Sequence, residues 1–183
     1  DLRNLPARRT LMFPVSSSVS ASLLPVRMAK VLSRLSQAPL LLIDLYTEGD
    51  REYQLREELQ DHAGAVFCQP PSQLSPDEVP TEKPAVVVMA LAQELNPLEL
   101  LASDRFSSFL RRFSAAYGSV LINGPSPSQS ATSLLAARQC NGAICMIEEG
   151  VSRISEIQQA GAAMEQAHCD VLGFFYLKAR KQG

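Results

Sequence analysis

The chain has 183 residues, 46% of them hydrophobic and 20% charged, with a formal net charge of −2, which suits one packed globular core. The slightly acidic balance excludes nucleic acid as a main partner, because phosphate binding needs a surplus of clustered Lys and Arg. No run of 18 apolar residues is long enough to span a bilayer, and the four cysteines form neither a CxxC pair nor a secretory framework, which implies a reducing, cytoplasmic setting.

Short apolar runs alternate with longer amphipathic segments, the pattern of a parallel sheet covered by helices on both faces. Residues 1–9, with Arg3, Arg8 and Arg9, read as an N-terminal tail. Leu11–Val15 is the first strand, followed by a serine-rich stretch and a helix over Ala21–Ser36. Leu40–Leu45 is the second strand, then a helix over Arg51–Asp61 and a strand over Ala65–Cys68. Pro70–Pro84 holds five of the twelve prolines and reads as a surface loop. Next come a strand over Ala85–Leu91, a single helix over Pro97–Ala116 and a strand over Ser119–Ile122. A helix over Ser128–Arg138, a strand over Ala143–Ile147, a helix over Ser152–Ala167 and a strand over Val171–Tyr176 complete the series. Residues 178–183, with Lys178, Arg180 and Lys181, form a basic C-terminal tail. The expectation is one doubly wound α/β domain over 1–183, with Leu11–Val15, Leu40–Leu45 and Ser119–Ile122 near the centre because these runs are apolar on both faces.

Ligands of open α/β sheets bind at the carboxyl ends of the strands. The loop after the first strand lies where a phosphate-binding GxxxxGK[ST] loop would, yet FPVSSSVSAS has neither glycine nor lysine. Its serines (Ser16, Ser17, Ser18, Ser20, Ser22) either cap the following helix or cradle an anion at its N-terminus. Asp44 closes the second strand, where it either satisfies its own loop or holds Mg²⁺. Asn123 closes the fifth, in the place of a metal-anchoring acid. His168–Cys169 lacks a second half with ligand spacing, so no metal site is expected. Glu148 and Glu149 have no nucleophile or ligand beside them and read as a solvated loop.

The block NPLELLASDRFSSFLRRFSAAYGSVLINGPSPSQSATSLLAARQCNGAICMIEE, Asn96 to Glu149, resembles the cytoplasmic domain of the bacterial tyrosine kinases, the capsular polysaccharide co-polymerase kinases of the P-loop class. Asn96, Pro97, Glu99, Leu100, Leu101 and Ser103 match that family's NPxELLxS motif. Tyr117, Val120, Ile122 and Pro125 fit its tyrosine-ended helix and Walker B strand, and Asn141-Gly142-Ala143 stands at its DG. IDLYTEGD resembles the Walker A′ strand and QAHCDVLGFFYL the last core strand. The likeness spans roughly Leu11 to Leu177.

That resemblance implies a degenerate site. It places Ala21 at the Walker A lysine, Ser22 at the Mg²⁺ hydroxyl, and Ser18 and Ser20 at loop glycines. Asp44 keeps the first Walker A′ acid, Tyr46 replaces the second, and Asn123 replaces the Walker B acid. Leu177 stands at the adenine-side asparagine, and the sequence ends YLKARKQG in place of the tyrosine-rich tail that these kinases phosphorylate. The expected reading is therefore a protein with no catalytic residues and no cofactor beyond weak ATP or ADP. The resemblance makes it a scaffold or regulatory subunit among the protein partners of a polysaccharide synthesis and export complex. It would be cytoplasmic and lie at the inner face of the membrane, through a membrane-associated partner or a tether outside this sequence, and homo-oligomers would fit. A ParA/MinD-type ATPase is disfavoured because it too needs the loop lysine. Asp104, Arg105, Arg111 and Arg112, on the Pro97–Ala116 helix, are the candidate interaction residues.

Overall fold

The computed structural model of the chain describes residues 8–16, 22–36, 39–47, 50–62, 64–68, 86–91, 95–116 and 119–178. Ser18, Ser20, Ala21, Tyr117 and the Pro70–Pro84 segment lie outside the described residues. Seven strands, β1 (Arg8–Pro14), β2 (Leu40–Asp44), β3 (Ala65–Cys68), β4 (Val86–Ala90), β5 (Ser119–Asn123), β6 (Gly142–Glu148) and β7 (Val171–Leu177), form one sheet in the order β3-β4-β2-β5-β1-β6-β7. Every pairing is parallel.

The helices are α1 (Leu24–Ser36), α2 (Arg51–Leu59), α3 (Pro97–Ala102), α4 (Asp104–Ala116), α5 (Thr132–Ala137) and α6 (Ile154–Gln166). Alternate residues of the central strands enter different cores, which is why those strands are apolar throughout. Leu11, Phe13, Leu41 and Ile43 pack with Phe106, Phe113 and Met164 from α4 and α6. Met12, Leu40 and Leu42 pack on the opposite face with Val26 of α1 and Leu55 of α2. The sheet is therefore doubly wound, and β2, β5 and β1 occupy its three central positions as the sequence leads one to expect.

Three expectations are corrected. Arg8 and Arg9 belong to β1 and not to a tail, because their backbones pair with Ser119 and Val120. The Pro97–Ala116 helix is two helices, since Ser103 has extended dihedrals (φ −80°, ψ 142°). Its hydroxyl donates to the carbonyl of Leu100 at 2.7 Å and accepts from the amide of Phe106 at 3.2 Å, ending one helix and capping the next. The Ser128–Arg138 helix shrinks to Thr132–Ala137, because hydroxyls of the polar run before it bond locally. Ser130 Oγ donates to Thr132 Oγ1 at 2.7 Å and accepts from the Thr132 amide at 3.2 Å.

A buried polar contact ties α1 to the end of α2. Ser33 Oγ donates to the Lys30 carbonyl at 3.0 Å, so its one proton is spent and it accepts from Nε2 of buried His62 at 3.2 Å. Burial first, then the nearby charges of Arg34 and Lys30, hold the His62 pKa below its ordinary value. The unfolded chain consequently binds the extra proton more readily. His62 contributes stability above the unfolded pKa of about 6.5 that is lost as pH falls through that value towards the folded one. Urea unfolding at pH 7.5 and pH 5.5 should show a drop in stability that is smaller in His62→Gln; an equal drop in both proteins refutes the assignment.

Among the described residues, no helix is long and apolar enough to cross a membrane, and no three His, Cys, Asp or Glu side chains come together as a metal-binding group.

Candidate functional site

The crossover pattern leaves β1 flanked by β5 and β6, with β2 beyond β5, and the carboxyl ends of β1, β2 and β5 open into one crevice. Register brings Asp44 directly beside Asn123 across the β2–β5 ladder. Asn123 Nδ2 donates to Asp44 Oδ2 at 2.7 Å and to the Ser22 carbonyl at 2.8 Å. With an acceptor on each of those two sides, the amide orientation is fixed by its partners. Ser22, Asp44 and Asn123, placed far apart in the sequence, are thus brought together.

The residue that organises them is Arg51, at the start of α2. Its Nε donates to Asp44 Oδ1 at 3.1 Å and its Nη2 to Asp44 Oδ2 at 2.8 Å, a fork-to-fork ion pair. Nη2 also donates to the Ser22 carbonyl at 2.9 Å, while Nη1 donates to Ser22 Oγ at 3.2 Å and Gln54 Oε1 at 3.3 Å. All five guanidinium N–H groups are therefore committed. Asp44 is equally full. Besides the two arginine bonds and the Asn123 bond, its Oδ1 accepts from the Tyr46 amide at 3.1 Å, closing its own loop. The pair is sequestered, with Asp44 fully buried and Arg51 only 6% exposed.

The ring of Tyr46 lies against the guanidinium, 4.8 Å from its centroid, and its hydroxyl donates to the Gly124 carbonyl at 3.1 Å. Gly124 is required by the neighbouring helix: a Cβ there would come within 2.6 Å of Ser133 Oγ on α5. Asn96 caps α3 by accepting from the Leu98 amide at 3.0 Å, and its Nδ2 donates to Glu99 at 3.2 Å. Glu99 thus serves the helix start, as its position in the motif suggests. The Asn96-Pro97-Leu98 turn also lines a cavity of about 530 Å³ with Tyr46, Arg51, Pro125 and Gln129.

Other expected residues fall elsewhere. Ser16 gives its hydroxyl proton to Glu156 Oε2 at 2.7 Å, which anchors the start of α6 and leaves that proton unavailable to an anion. Leu177 ends β7 against the α1-side core. Asp104, Arg105, Arg111 and Arg112 are exposed on α4, with Arg111 donating to Ser108 Oγ at 3.2 Å. The first loop, where a P-loop lysine would stand, offers no cation, and Arg51 supplies one from α2 instead. The signal for Arg51 was an arginine at the first turn of the helix that follows Asp44, seven residues on.

No family model and no curated protein matches the sequence. Solved structures do. The BceF tyrosine kinase domain is 24% identical, with a TM-score of 0.68 over 93% of this chain and 69% of that one. The kinase domain of the Escherichia coli tyrosine kinase ETK is 15% identical, with a TM-score of 0.75 over 98% of this chain and 71% of that one. A chain of the MinC:MinD cell division complex of Aquifex aeolicus is 16% identical, with a TM-score of 0.66 over 96% and 70%. With its seven parallel strands, its helices on both faces and its switch point at the ends of β1, β2 and β5, the chain has the P-loop α/β fold of the bacterial tyrosine kinase domains.

Proposed function

We propose that this chain is a kinase-like module without phosphoryl-transfer activity, working through protein contacts as a scaffold or regulatory subunit of a polysaccharide synthesis and export machinery at the inner face of the membrane. The observation that carries the reading is the saturated Asp44–Arg51 pair. Phosphoryl transfer relies on a metal and on cations aimed at the moving phosphate. Here the carboxylate that would help hold a metal already accepts four hydrogen bonds, and the nearest cation has no donor left for phosphate. Asn123 belongs to the same arrangement. Its amide can donate to Asp44 at 2.7 Å, where an aspartate would set oxygen against oxygen. The donor set therefore does not fit Mg²⁺, and no catalytic step is routed through one.

The exopolysaccharide setting rests on the resemblance of the Asn96–Glu149 block and on the tyrosine kinase domains among the structural neighbours. The MinC:MinD complex shows the same fold engaged with a protein partner in that system. Asp104, Arg105, Arg111 and Arg112 on α4 are the exposed charges proposed to meet such a partner, since arginine can grip a carboxylate bidentately.

A second reading has its own observation. The 530 Å³ cavity beside Tyr46 has the size of a small-molecule site, so a sensor that binds ATP or ADP weakly without turnover is the alternative.

Purified protein incubated with ATP and Mg²⁺ should show neither hydrolysis nor autophosphorylation above background, and calorimetric titration should give the same weak or null signal with and without Mg²⁺. Turnover that co-purifies with the protein overturns the proposal. Saturable binding without turnover selects the sensor.

A further inference from the structure

The cavity of about 530 Å³ at the carboxyl ends of the strands has a lining that does not suit phosphate. Arg51 is the one charged side chain among the described residues that line it, and its protons are all spent on Asp44, Ser22 and Gln54. The backbone amides of Leu98 and Thr132, at the starts of α3 and α5, are already bonded to Asn96 Oδ1 and Ser130 Oγ. An anionic ligand would lose its hydration here without gaining a counter-charge, which is costly.

What the lining still offers is a set of uncharged hydrogen-bonding groups. Ser130 gives its hydroxyl proton to Thr132 Oγ1 at 2.7 Å, so the outgoing proton of that pair is the one on Thr132. Thr132 is only 4% exposed, and no described group accepts that proton. Gln54 turns its Oε1 to Arg51 at 3.3 Å, which leaves its NH₂ end without a described partner. Asn96 keeps one amide proton after its bond to Glu99, and the exposed Gln129 amide bonds to no described residue. Apolar surface lies between these groups, from the Tyr46 ring, Pro97, Pro125 and Leu98.

We propose that the cavity binds an uncharged saccharide, one pyranose ring lying on the apolar wall with its hydroxyls on Thr132, Gln54, Gln129 and Asn96. Each sugar hydroxyl donates and accepts, which matches a wall of amides and hydroxyls, and the C–H face of the ring can cover proline and tyrosine. A nucleotide fails on its phosphates. A free nucleoside fits less well, because the Arg51 guanidinium already takes one face of the Tyr46 ring on which a base would stack. Such a site presupposes the non-transferring arrangement proposed above, and it gives the sensor a neutral ligand in place of ATP or ADP.

Titration of the isotope-labelled chain, followed by amide NMR, tests this with the methyl pyranosides of glucose, galactose and mannose, and with glucuronate, adenosine and ATP beside them. At least one neutral pyranoside should bind saturably with a Kd of about 1 mM. It should shift the side-chain amides of Gln54, Asn96 and Gln129, while glucuronate binds at least about tenfold more weakly because its charge finds no partner. Thr132→Val/Gln129→Ala should weaken binding about tenfold through the loss of two hydrogen bonds, and Thr132→Ser should keep it. Should the double variant misfold, Gln129→Trp, at an exposed lining position, must abolish binding by filling the cavity. Binding of adenosine, ATP or glucuronate as tight as that of every pyranoside, or shifts confined to other residues, overturns the proposal. ATP turnover sinks the non-catalytic reading and the saccharide site with it, whereas absence of both turnover and pyranoside binding sinks the saccharide site alone.

Discussion

Arg51→Ala should lower folding stability by about 3–5 kcal/mol, with a fall in Tm of ~10 °C, and Asp44→Ala should do comparable damage. Each single change leaves one full charge in a pocket that holds the other at 0–7% exposure. The stranded group also loses the bonds that tie α2 to β2 and to Ser22. Removing both charges is different. Asp44→Leu/Arg51→Met deletes the desolvation cost along with the attraction, and Asn123 keeps its bond to the Ser22 carbonyl. The double variant should be far more stable than the sum of the single losses predicts, by 2 kcal/mol or more on the order of buried-pair couplings. Chemical denaturation of the four proteins measures the coupling. Additive losses would show that the pair is not the unit described.

Arg51→Ser/Asn123→Asp should create a divalent-cation site where the Asp44–Arg51 pair now stands. With the guanidinium gone, the Asp44 carboxylate loses two of its four donors, and the second substitution replaces the amide of Asn123, which supplies a third. Two carboxylates then share the register position beside Ser22 Oγ, and like charges at that distance need a cation between them. Manganese titration should show binding at about millimolar or tighter in the double variant and none in the unmodified chain. Tm should also rise on adding the ion, in the variant only. Asn123→Asp alone should gain no metal affinity while Arg51 holds Asp44, and Mn²⁺ binding by that single variant would mean the arginine does not guard the site.

The fold was legible where physics is local or periodic. Continuous apolar runs gave β1, β2 and β5 and placed them centrally, because a strand buried on both faces has no polar side to show. Helix ends were legible only where the capping chemistry was weighed against the apolar pattern. Phe106, Phe109 and Phe113 continue a helical stripe from Leu101, and that stripe conceals the break at Ser103, a serine followed by aspartate that caps a new helix. The same weighting extends a helix back to Ser128, through hydroxyls that prefer local bonds.

The site was half legible. Ser22, Asp44 and Asn123 follow from strand ends and from the resemblance. Arg51 does not, because its role depends on α2 turning back over the end of β2. That is a tertiary fact, for which the sequence offers only an arginine in the first turn of a helix. The exposure of Leu172, Phe174 and Tyr176 on β7 was hidden for a related reason: VLGFFYL reads as a buried strand, and nothing local tells an outer strand from an inner one.

The sheet order has a consequence for synthesis. β1 leaves the ribosome before the other six described strands, yet both its neighbours, β5 and β6, lie on the order of a hundred residues downstream. At roughly 5–20 residues per second, the run Thr10–Pro14 waits several seconds with both edges unpaired. β2 can pair with β4 earlier but waits for β5 on its other side. The half-made chain is thus a β2–β3–β4 fragment trailing an apolar strand, which is a natural client for a chaperone. When β5 arrives it slots between β2 and β1, bringing Asn123 to Asp44 and closing the charged pocket before β6, α6 and β7 complete the core on the other side of β1.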